Sequence, residues 1–215
     1  GNIRDVHHGQ PRPALPLLID HAAHMNAPLS PSLIRLLLWT GVLSLLVRTW
    51  IGATFPITGD EAYFYWWGVY PDWGYYDHPP MAGWAIAAML KLFGDTTFAM
   101  RIPALLLPTA LGAALWWGFS NVDREKTAWA IVLFWLTPIN WLNALITTDT
   151  PLIFWSVLSI CALVRAEQRA HQDRNTYALH ALSGLFLGLA FLSKYFAVVI
   201  GFAYFVYFMA FRRER

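Results

Sequence analysis

Two isolated carboxylate sites could do chemistry in this sequence, because paired acidic side chains are the usual equipment for acid–base catalysis. Asp60 and Glu61 follow a glycine, and Asp149 lies between two threonines. One carboxylate of the first pair could act as a general base, taking the proton from an acceptor hydroxyl as that hydroxyl attacks an anomeric carbon. The structural alternative is that Asp60 and Asp149 are helix N-caps. Both functions are compatible, since a capping carboxylate is well oriented.

A second group of polar residues could hold the phosphate or the hydroxyls of a sugar donor. Tyr76, Asp77 and His78 precede two prolines, which favour a stiff extended turn. Arg101 and Lys194 each stand at the end of an apolar segment, where a lone cation usually extends to lipid headgroups. If these two cations and His78 face the carboxylates instead, they are suited to stabilising a departing phosphate.

No motif indicates a metal site or a cofactor. His78 has only Asp77 beside it as a potential ligand, and nothing in the sequence fixes the geometry of four early histidines. These histidines are His7, His8, His21 and His24. We therefore predict no metal site and no cofactor, while a divalent-metal requirement stays open. The single Cys161 excludes a disulfide within the chain.

The elements that carry these residues are predicted to be membrane helices. The 215 residues are 57% hydrophobic and only 13% charged, whereas soluble domains average about a quarter charged residues. An apolar exterior of this kind is tolerated in lipid but not in water. Crossing a bilayer takes about 20 helical residues. Six segments come near that length: roughly 33–55, 102–120, 128–146, 150–165, 177–193 and 195–211.

The distribution of Lys and Arg indicates whether a shorter apolar segment, Met81–Phe93, also crosses the membrane. If it does not cross and the N-terminus is cytoplasmic, most of the 15 Lys and Arg residues lie in the cytoplasm. The exceptions outside are then Lys91, Arg101 and Lys194. The opposite arrangement puts most cations outside, against the positive-inside rule. Met81–Phe93 is therefore predicted to lie along the interface, and the acids of loop 56–100 share a non-cytoplasmic face with Asp149.

The loop 56–100 is about 45 residues long and dense in aromatic residues, unlike an ordinary connector. Ala62–Tyr70 and Met81–Phe93 are predicted to be interfacial helices at headgroup depth, where Trp and Tyr are favoured. The predicted organisation is a mobile cytoplasmic tail, residues 1–32, followed by a transmembrane domain, residues 33–215. The fold class is an all-α polytopic membrane protein.

Four segments carry a resemblance to a known family. They are TGDEAYFYWWGVYPDWGYYDHPPMAGW (58–84), FGDTTFAMRIPALLL (93–107), ITTDTPLIFW (146–155) and GLFLGLAFLSKYFAV (184–198). In this order they resemble the glycosyltransferase family 39 group, which includes the protein O-mannosyltransferases and the lipid A aminoarabinose transferases. The series covers about residues 50–200 and is more specific than any one segment.

The resemblance implies a GT-C type helix bundle whose active site faces away from the cytoplasm, with a polyprenyl-phosphate sugar as donor and inversion of the anomeric centre. By position, Asp60 would be the leading catalytic carboxylate with Glu61 beside it, and Asp149 would be the second acidic residue. His78 stands where the aminoarabinose transferases have a Lys before two prolines, which suggests a phosphate contact. The family also implies a longer chain, of which these residues form the N-terminal portion.

The predicted function is transfer of a sugar from a polyprenyl-phosphate donor to a lipid, glycan or protein acceptor. The predicted location is the bacterial inner membrane, with the active site facing the periplasm or exterior, and nucleic acid is not an expected partner. Two alternatives stay open, a polytopic transporter and a non-catalytic assembly subunit. Transport sites place ionisable residues near the midplane of several spans, whereas these acids lie at span ends and in one loop. An assembly subunit would need neither Asp60 nor Asp149.

Overall fold

The chain is built from α-helices, as the sequence predicts. The computed structural model describes residues 28–169 and 171–211, and no β-strand occurs among them. Most of the predicted N-terminal tail, including its four histidines, lies outside the described residues. The all-α fold class is therefore confirmed for the part of the chain that the structure describes.

Four helices are long and apolar enough to cross a membrane. They are α1 (Pro31–Thr54), α4 (Thr97–Phe119), α7 (Asp149–Glu167) and α8 (Arg174–Ser193). Side chains that precede α1, α4 and α8 start those helices by accepting a hydrogen bond from the first turn, namely Ser30, Thr96 and Asp173. These helices confirm a polytopic membrane protein.

The segments 128–146 and 195–211 differ from the predicted spans because neither is one long helix. The first divides into α5 (Arg124–Leu136) and α6 (Pro138–Leu142), since the proline ring and its missing N–H prevent a continuous helix. The second begins with a 3₁₀ turn before α9 (Val198–Ala210). Both segments still run along the bundle. Trp135 of α5 donates to the carbonyl of Pro108, in the middle of α4, at 3.1 Å.

Small residues allow the spanning helices to approach closely. Gly112 of α4 lies against the ring of Trp135, and Gly118 lies against Cys161 of α7. Helices α7 and α8 form an antiparallel hairpin, in which Ser159 and Ser183 each donate to the carbonyl of the other at 2.8 and 2.9 Å. These contacts make α4 and the α7–α8 hairpin the centre of the bundle.

Arg48 is the charged residue buried inside the first span. Its Nη2 donates to Thr109 Oγ1 of α4 at 2.7 Å, and its Nε lies 3.3 Å from the carbonyl of Ser44. The partners of this guanidinium are therefore a hydroxyl and a carbonyl, neither of which the sequence could identify.

The predicted loop helices are present as α2 (Gly59–Val69) and α3 (Met81–Phe93). Arg101, near the start of α4, donates to the carbonyls of Gly52 and Phe55 at the end of α1. The end of α1 and the start of α4 thus lie at the same end of the bundle, so α3 does not cross from one end to the other. Gly94, with a φ of 88° that favours glycine, turns the chain from α3 into α4.

A small apolar core joins these loop helices to the bundle. It combines residues of α2, α3 and α4 with the segment before α7: Phe64, Trp67, Ile86, Met100, Ala104 and Ile146. The loop is therefore a folded platform that presents its polar residues in fixed positions. Which side of the membrane it faces stays a prediction.

Candidate active site

Helix α2 begins with a capping box that fixes Asp60 and Glu61. Thr58 is the N-cap, and its hydroxyl accepts from the N–H of Glu61 at 3.3 Å. The carboxylate of Glu61 accepts in return from the N–H of Thr58 at 3.2 Å. Asp60 is therefore the second residue of the helix and not its cap. The pattern Thr-x-x-Glu is the sequence signal that indicates this arrangement.

Glu61 and Arg101 form a buried ion pair at the base of the loop. Arg101 Nε lies 2.7 Å from Glu61 Oε1, and Nη2 lies 2.6 Å from Oε2. The guanidinium also donates to the carbonyls of Gly52, Phe55 and Pro56 at 2.8 to 3.0 Å. The two side chains are 1% and 0% exposed. The pair therefore ties α1, α2 and α4 together at one point.

The ion pair also reaches the second acidic segment. The N–H of Ile146 donates to Glu61 Oε1 at 3.2 Å, so the chain just before Asp149 is bound to the same carboxylate. Burial by itself raises the pKa of Glu61. The hydrogen bonds from Arg101, Thr58 and Ile146 outweigh burial and bring the pKa below its ordinary value. Glu61 is therefore a buried, ionised acceptor.

These contacts differ from the predicted roles of Arg101 and Glu61. A guanidinium has five N–H donors, and all five of Arg101 are bonded to the chain, so none is left for a donor phosphate. The carboxylate of Glu61 is enclosed and cannot meet an acceptor hydroxyl. The geometry gives both residues a structural role, because they hold the segments on which the exposed acids stand.

Asp60 has the opposite environment. Its side chain is exposed, and it makes no hydrogen bond or ion pair with any residue that the structure describes. It stands one position before the locked Glu61, so its backbone is fixed while its carboxylate is open. This combination is suited to a group that takes a proton from a bound molecule.

Asp149 pairs with Lys194. Lys194 Nζ lies 2.7 Å from Asp149 Oδ1, and both side chains are partly exposed. Asp149 is the first residue of α7, whose N-cap is Thr148, so the predicted N-cap position is one residue too late. The ion pair joins the start of α7 to the end of α8. Because Ile146 contacts Glu61, this pair lies at the same end of the bundle as Asp60.

A third polar cluster occupies the turn between α2 and α3. Tyr63 donates to Asp77 Oδ1 at 3.2 Å, and His78 Nδ1 lies 3.1 Å from Asp77 Oδ2. The adjacent imidazole of His78 is the main cause that holds the pKa of Asp77 below its usual range. Tyr76, which precedes this pair, is fully exposed. Tyr63 is a further member of this cluster, which the sequence does not indicate because Tyr63 stands 14 residues before Asp77.

Aromatic residues build the frame of that turn. Tyr75 stacks on Trp67 with ring centroids 4.3 Å apart and donates to the carbonyl of Trp67 at 2.9 Å. Trp84 donates to the carbonyl of Asp72 at 2.9 Å. The outer surface of the loop presents large exposed rings: Trp66, Tyr70, Trp73 and Tyr76. The turn is therefore rigid on its inner side and aromatic on its outer side.

The predicted site residues form three groups at one end of the bundle. Glu61 pairs with Arg101 next to the exposed Asp60, Asp149 pairs with Lys194, and Asp77 lies beside His78. Convergence of these groups around one cavity stays a prediction. Within the described ranges, no cluster of three or more His, Cys, Asp or Glu side chains could hold a metal ion.

The family described as dolichyl-phosphate-mannose-protein mannosyltransferase matches residues 77–215. The lipid A galacturonosyltransferase RgtD of Rhizobium johnstonii is 30% identical over 139 residues, which cover 63% of this chain and 28% of that protein. No solved structure matches. The chain thus spans less than a third of that relative's length, and Asp60 and Glu61 precede the region matched by the family.

Proposed function

Because this chain belongs to the dolichyl-phosphate-mannose-protein mannosyltransferase family, we propose that it acts as a membrane glycosyltransferase. The donor is a polyprenyl-phosphate-linked sugar, and the acceptor is a lipid, glycan or protein. The family description supports this class of donor, since dolichyl phosphate is a polyprenyl phosphate. The name of the galacturonosyltransferase supports a lipid acceptor, and that of the family supports a protein acceptor.

One observation carries the mechanism: the carboxylate of Asp60 is open and without a partner among the described residues, beside a fully bonded Glu61. An acceptor hydroxyl is a poor nucleophile until its proton is taken, and Asp60 can take it. The hydroxyl oxygen then attacks the anomeric carbon from the face opposite the phosphate. A single displacement of this kind inverts the configuration at that carbon.

The departing phosphate needs a cation near the same end of the bundle, and Lys194 meets this requirement. An ammonium group has three N–H donors, and Lys194 uses one of them on Asp149. The remaining two can bind phosphate oxygens while Asp149 keeps the side chain oriented. Asp149 therefore acts as the acidic residue that positions the phosphate ligand, and Tyr76 and Asp77 remain candidate contacts for the sugar.

We also infer that the site faces the periplasm from a bacterial inner membrane. The positive-inside rule supports this orientation, because the end of the bundle opposite the acidic loop carries most of the Lys and Arg residues. A polyprenyl-phosphate donor and a lipid acceptor would both meet the aromatic loop at headgroup depth.

The test is to purify the full-length membrane protein and identify the lipid that accompanies it by mass spectrometry. A polyprenyl phosphate or its sugar conjugate is the expected result. The purified protein is then supplied with polyprenyl-phosphate mannose or polyprenyl-phosphate galacturonic acid and with lipid A. Failure to transfer either sugar or to release polyprenyl phosphate would contradict the proposal.

A further inference from the structure

His78 has one ring nitrogen turned inward and one turned outward. Its Nδ1 is buried and lies 3.1 Å from Asp77 Oδ2, yet 23% of the side chain is exposed. The exposed part is therefore the opposite edge of the ring, which carries Nε2. None of the described residues bonds to this nitrogen. The carboxylate of Asp77 thus lies against the inner edge of the ring, and Nε2 is left open to exchange a proton with a bound molecule.

The surroundings hold the imidazole in this orientation. Its ring centroid lies 6.2 Å from that of Phe64 and 5.7 Å from that of Trp67, both on α2. The carbonyl of His78 accepts from the N–H of Tyr75 at 3.0 Å, which closes the turn. Tyr63 bonds to the second oxygen of Asp77. Both oxygens of Asp77 therefore have partners, and its carboxylate cannot rotate away from the imidazole.

His78 also lies over the helix face that carries Asp60. Positions i, i+3, i+4 and i+7 of a helix share one face, so Asp60, Tyr63, Phe64 and Trp67 follow one another along α2. The imidazole contacts the later members of this series, about one turn beyond Asp60. Phe64 and Trp67 are themselves buried, so Asp60 and the outer edge of His78 are the accessible polar groups of this region. A sugar phosphate that reaches both groups would meet Asp60 at the acceptor side and His78 at the phosphate side.

We propose that His78 is the proton donor to the departing phosphate, that Asp77 is its positioning residue, and that Tyr63 supports Asp77. This inference rests on the proposed function and adds a general acid to it. Histidine is the side chain that most often transfers protons in enzymes, and a departing phosphate oxygen carries the negative charge that a proton donor would neutralise.

The bond between the anomeric carbon and the phosphate oxygen breaks, its electron pair stays on that oxygen, and a new bond forms from the acceptor oxygen to the anomeric carbon. The acceptor proton passes to Asp60, and the Nε2 proton of His78 passes to the phosphate. The products are the glycoside and the polyprenyl phosphate monoanion. Asp60 then releases its proton to solvent, and His78 takes up a proton from solvent. The sugar donor and the polyprenyl phosphate product therefore carry the same charge.

Among the described residues, the titratable groups in contact with the imidazole or with its partner are Asp77 on the same turn and Tyr63 on α2. Helix α3, which follows the two prolines, carries Lys91 as its one charged residue, in its last turn. The alkaline fall of activity in the wild-type protein is therefore expected to follow the loss of the imidazolium proton.

The deciding comparison is between His78→Gln and His78→Lys in the full-length protein, with the same two donors and lipid A. His78→Gln is expected to lower kcat by about 10² or more, the range for a lost general acid, and to remove the alkaline limb of the pH profile. His78→Lys keeps a cation but holds its proton too tightly. The His78→Lys variant is expected to keep the wild-type KM for the sugar donor, while its kcat falls as much as that of His78→Gln.

The supporting variants separate positioning from folding. Asp77→Asn is expected to lower kcat while the donor KM stays near the wild-type value, because the imidazole loses the carboxylate that orients it, and Asp77→Glu is expected to restore kcat in part. Tyr63→Phe is expected to have a smaller effect of the same kind. The matched control is Tyr65→Phe. Tyr65 is on the same helix as Tyr63, but its hydroxyl donates to Asp95 at 2.9 Å and not to Asp77. It is expected to behave as the wild type.

Two outcomes would overturn the inference. Wild-type kcat and pH profile in His78→Lys would show that only a charge is needed, and a rise in donor KM alone in His78→Gln would show that His78 binds without donating a proton. Absence of transfer by the wild-type protein would instead contradict the proposed function, and this inference with it.

Discussion

Asp60 and Glu61 are neighbours in the chain with opposite environments. Successive helix residues are about 100° apart around the axis, so Glu61 points at Arg101 inside the bundle while Asp60 points away from it. The buried residue fixes the start of α2, and the open residue is thereby held in place. Mutation of Asp60 should therefore affect activity, whereas mutation of Glu61 should affect stability.

At Asp60, we predict a loss of activity without a loss of folding. Asp60→Asn keeps the size of the side chain and removes its basicity, so turnover is expected to fall by about 10² to 10⁴. The free energy of unfolding is expected to change by less than about 0.5 kcal/mol, because the side chain is exposed and has no partner among the described residues. Transfer assays and thermal unfolding in detergent measure the two quantities. If Asp60→Asn kept near-normal turnover and Asp149→Asn had none, Asp149 would be the general base and Asp60 would not.

At Glu61, we predict a loss of stability. Glu61→Gln leaves the buried guanidinium of Arg101 without its counter-ion, and breaking a buried pair from one side costs about 3 to 5 kcal/mol. Thermal unfolding at neutral pH, compared with Asp60→Asn as the control, measures this loss. Equal melting temperatures of the two variants would show that the pair contributes little.

The same residue predicts a pH dependence of stability. The pKa of Glu61 is lower in the folded protein than the ordinary value of 4.5, so its stabilising effect is complete above that value. As the pH falls below 4.5 towards the folded pKa, the effect is lost. The difference in melting temperature between the wild type and Glu61→Gln is therefore expected to shrink on acidification. A difference that stays constant down to the folded pKa would contradict this assignment.

At the scale of helices, close packing around α4 gives a prediction that does not depend on catalysis. A Cβ added at Gly112 would overlap the indole ring of Trp135, whereas a Cβ added at Gly184 of α8 meets nothing within 4 Å. Gly112→Ala is therefore expected to destabilise by about 1 to 3 kcal/mol. Gly184→Ala, the matched control, is expected to be neutral or slightly stabilising, since alanine favours the helix. Similar melting temperatures for both variants would contradict the packing described for α4 and α5.

At the scale of the whole molecule, alternating helix directions place loop 56–100 and Asp149 at one end and the turn between α4 and α5 at the other. We predict that the first end is outside the cytoplasm. Trp73→Cys places an exposed thiol at the first end, and Asn121→Cys places one at the second end. The native Cys161 is buried and is therefore not expected to react. In intact cells a membrane-impermeant maleimide is expected to label the first variant only. Labelling of Asn121→Cys alone would reverse the topology.

The sequence by itself determined the membrane class, the approximate positions of the helices and the boundaries of α3. These features depend on local properties: composition, the length of apolar runs, and turn residues such as Pro79 and Gly94. The sequence also singled out the acidic pairs and the cations at span ends, because charges are rare in an apolar chain. It did not predict the break in segment 128–146, since a single proline can either kink or end a helix.

Only the tertiary structure decided which of these polar residues are free to act. Glu61 meets Arg101 across 40 residues of sequence, Lys194 meets Asp149 across 45, and Tyr63 meets Asp77 across 14. Adjacent acids such as Asp60 and Glu61 are alike in sequence, and the rotation of α2 against the bundle decides which one is buried. That rotation is fixed by contacts between distant segments, because the apolar core of the loop is shared among three helices.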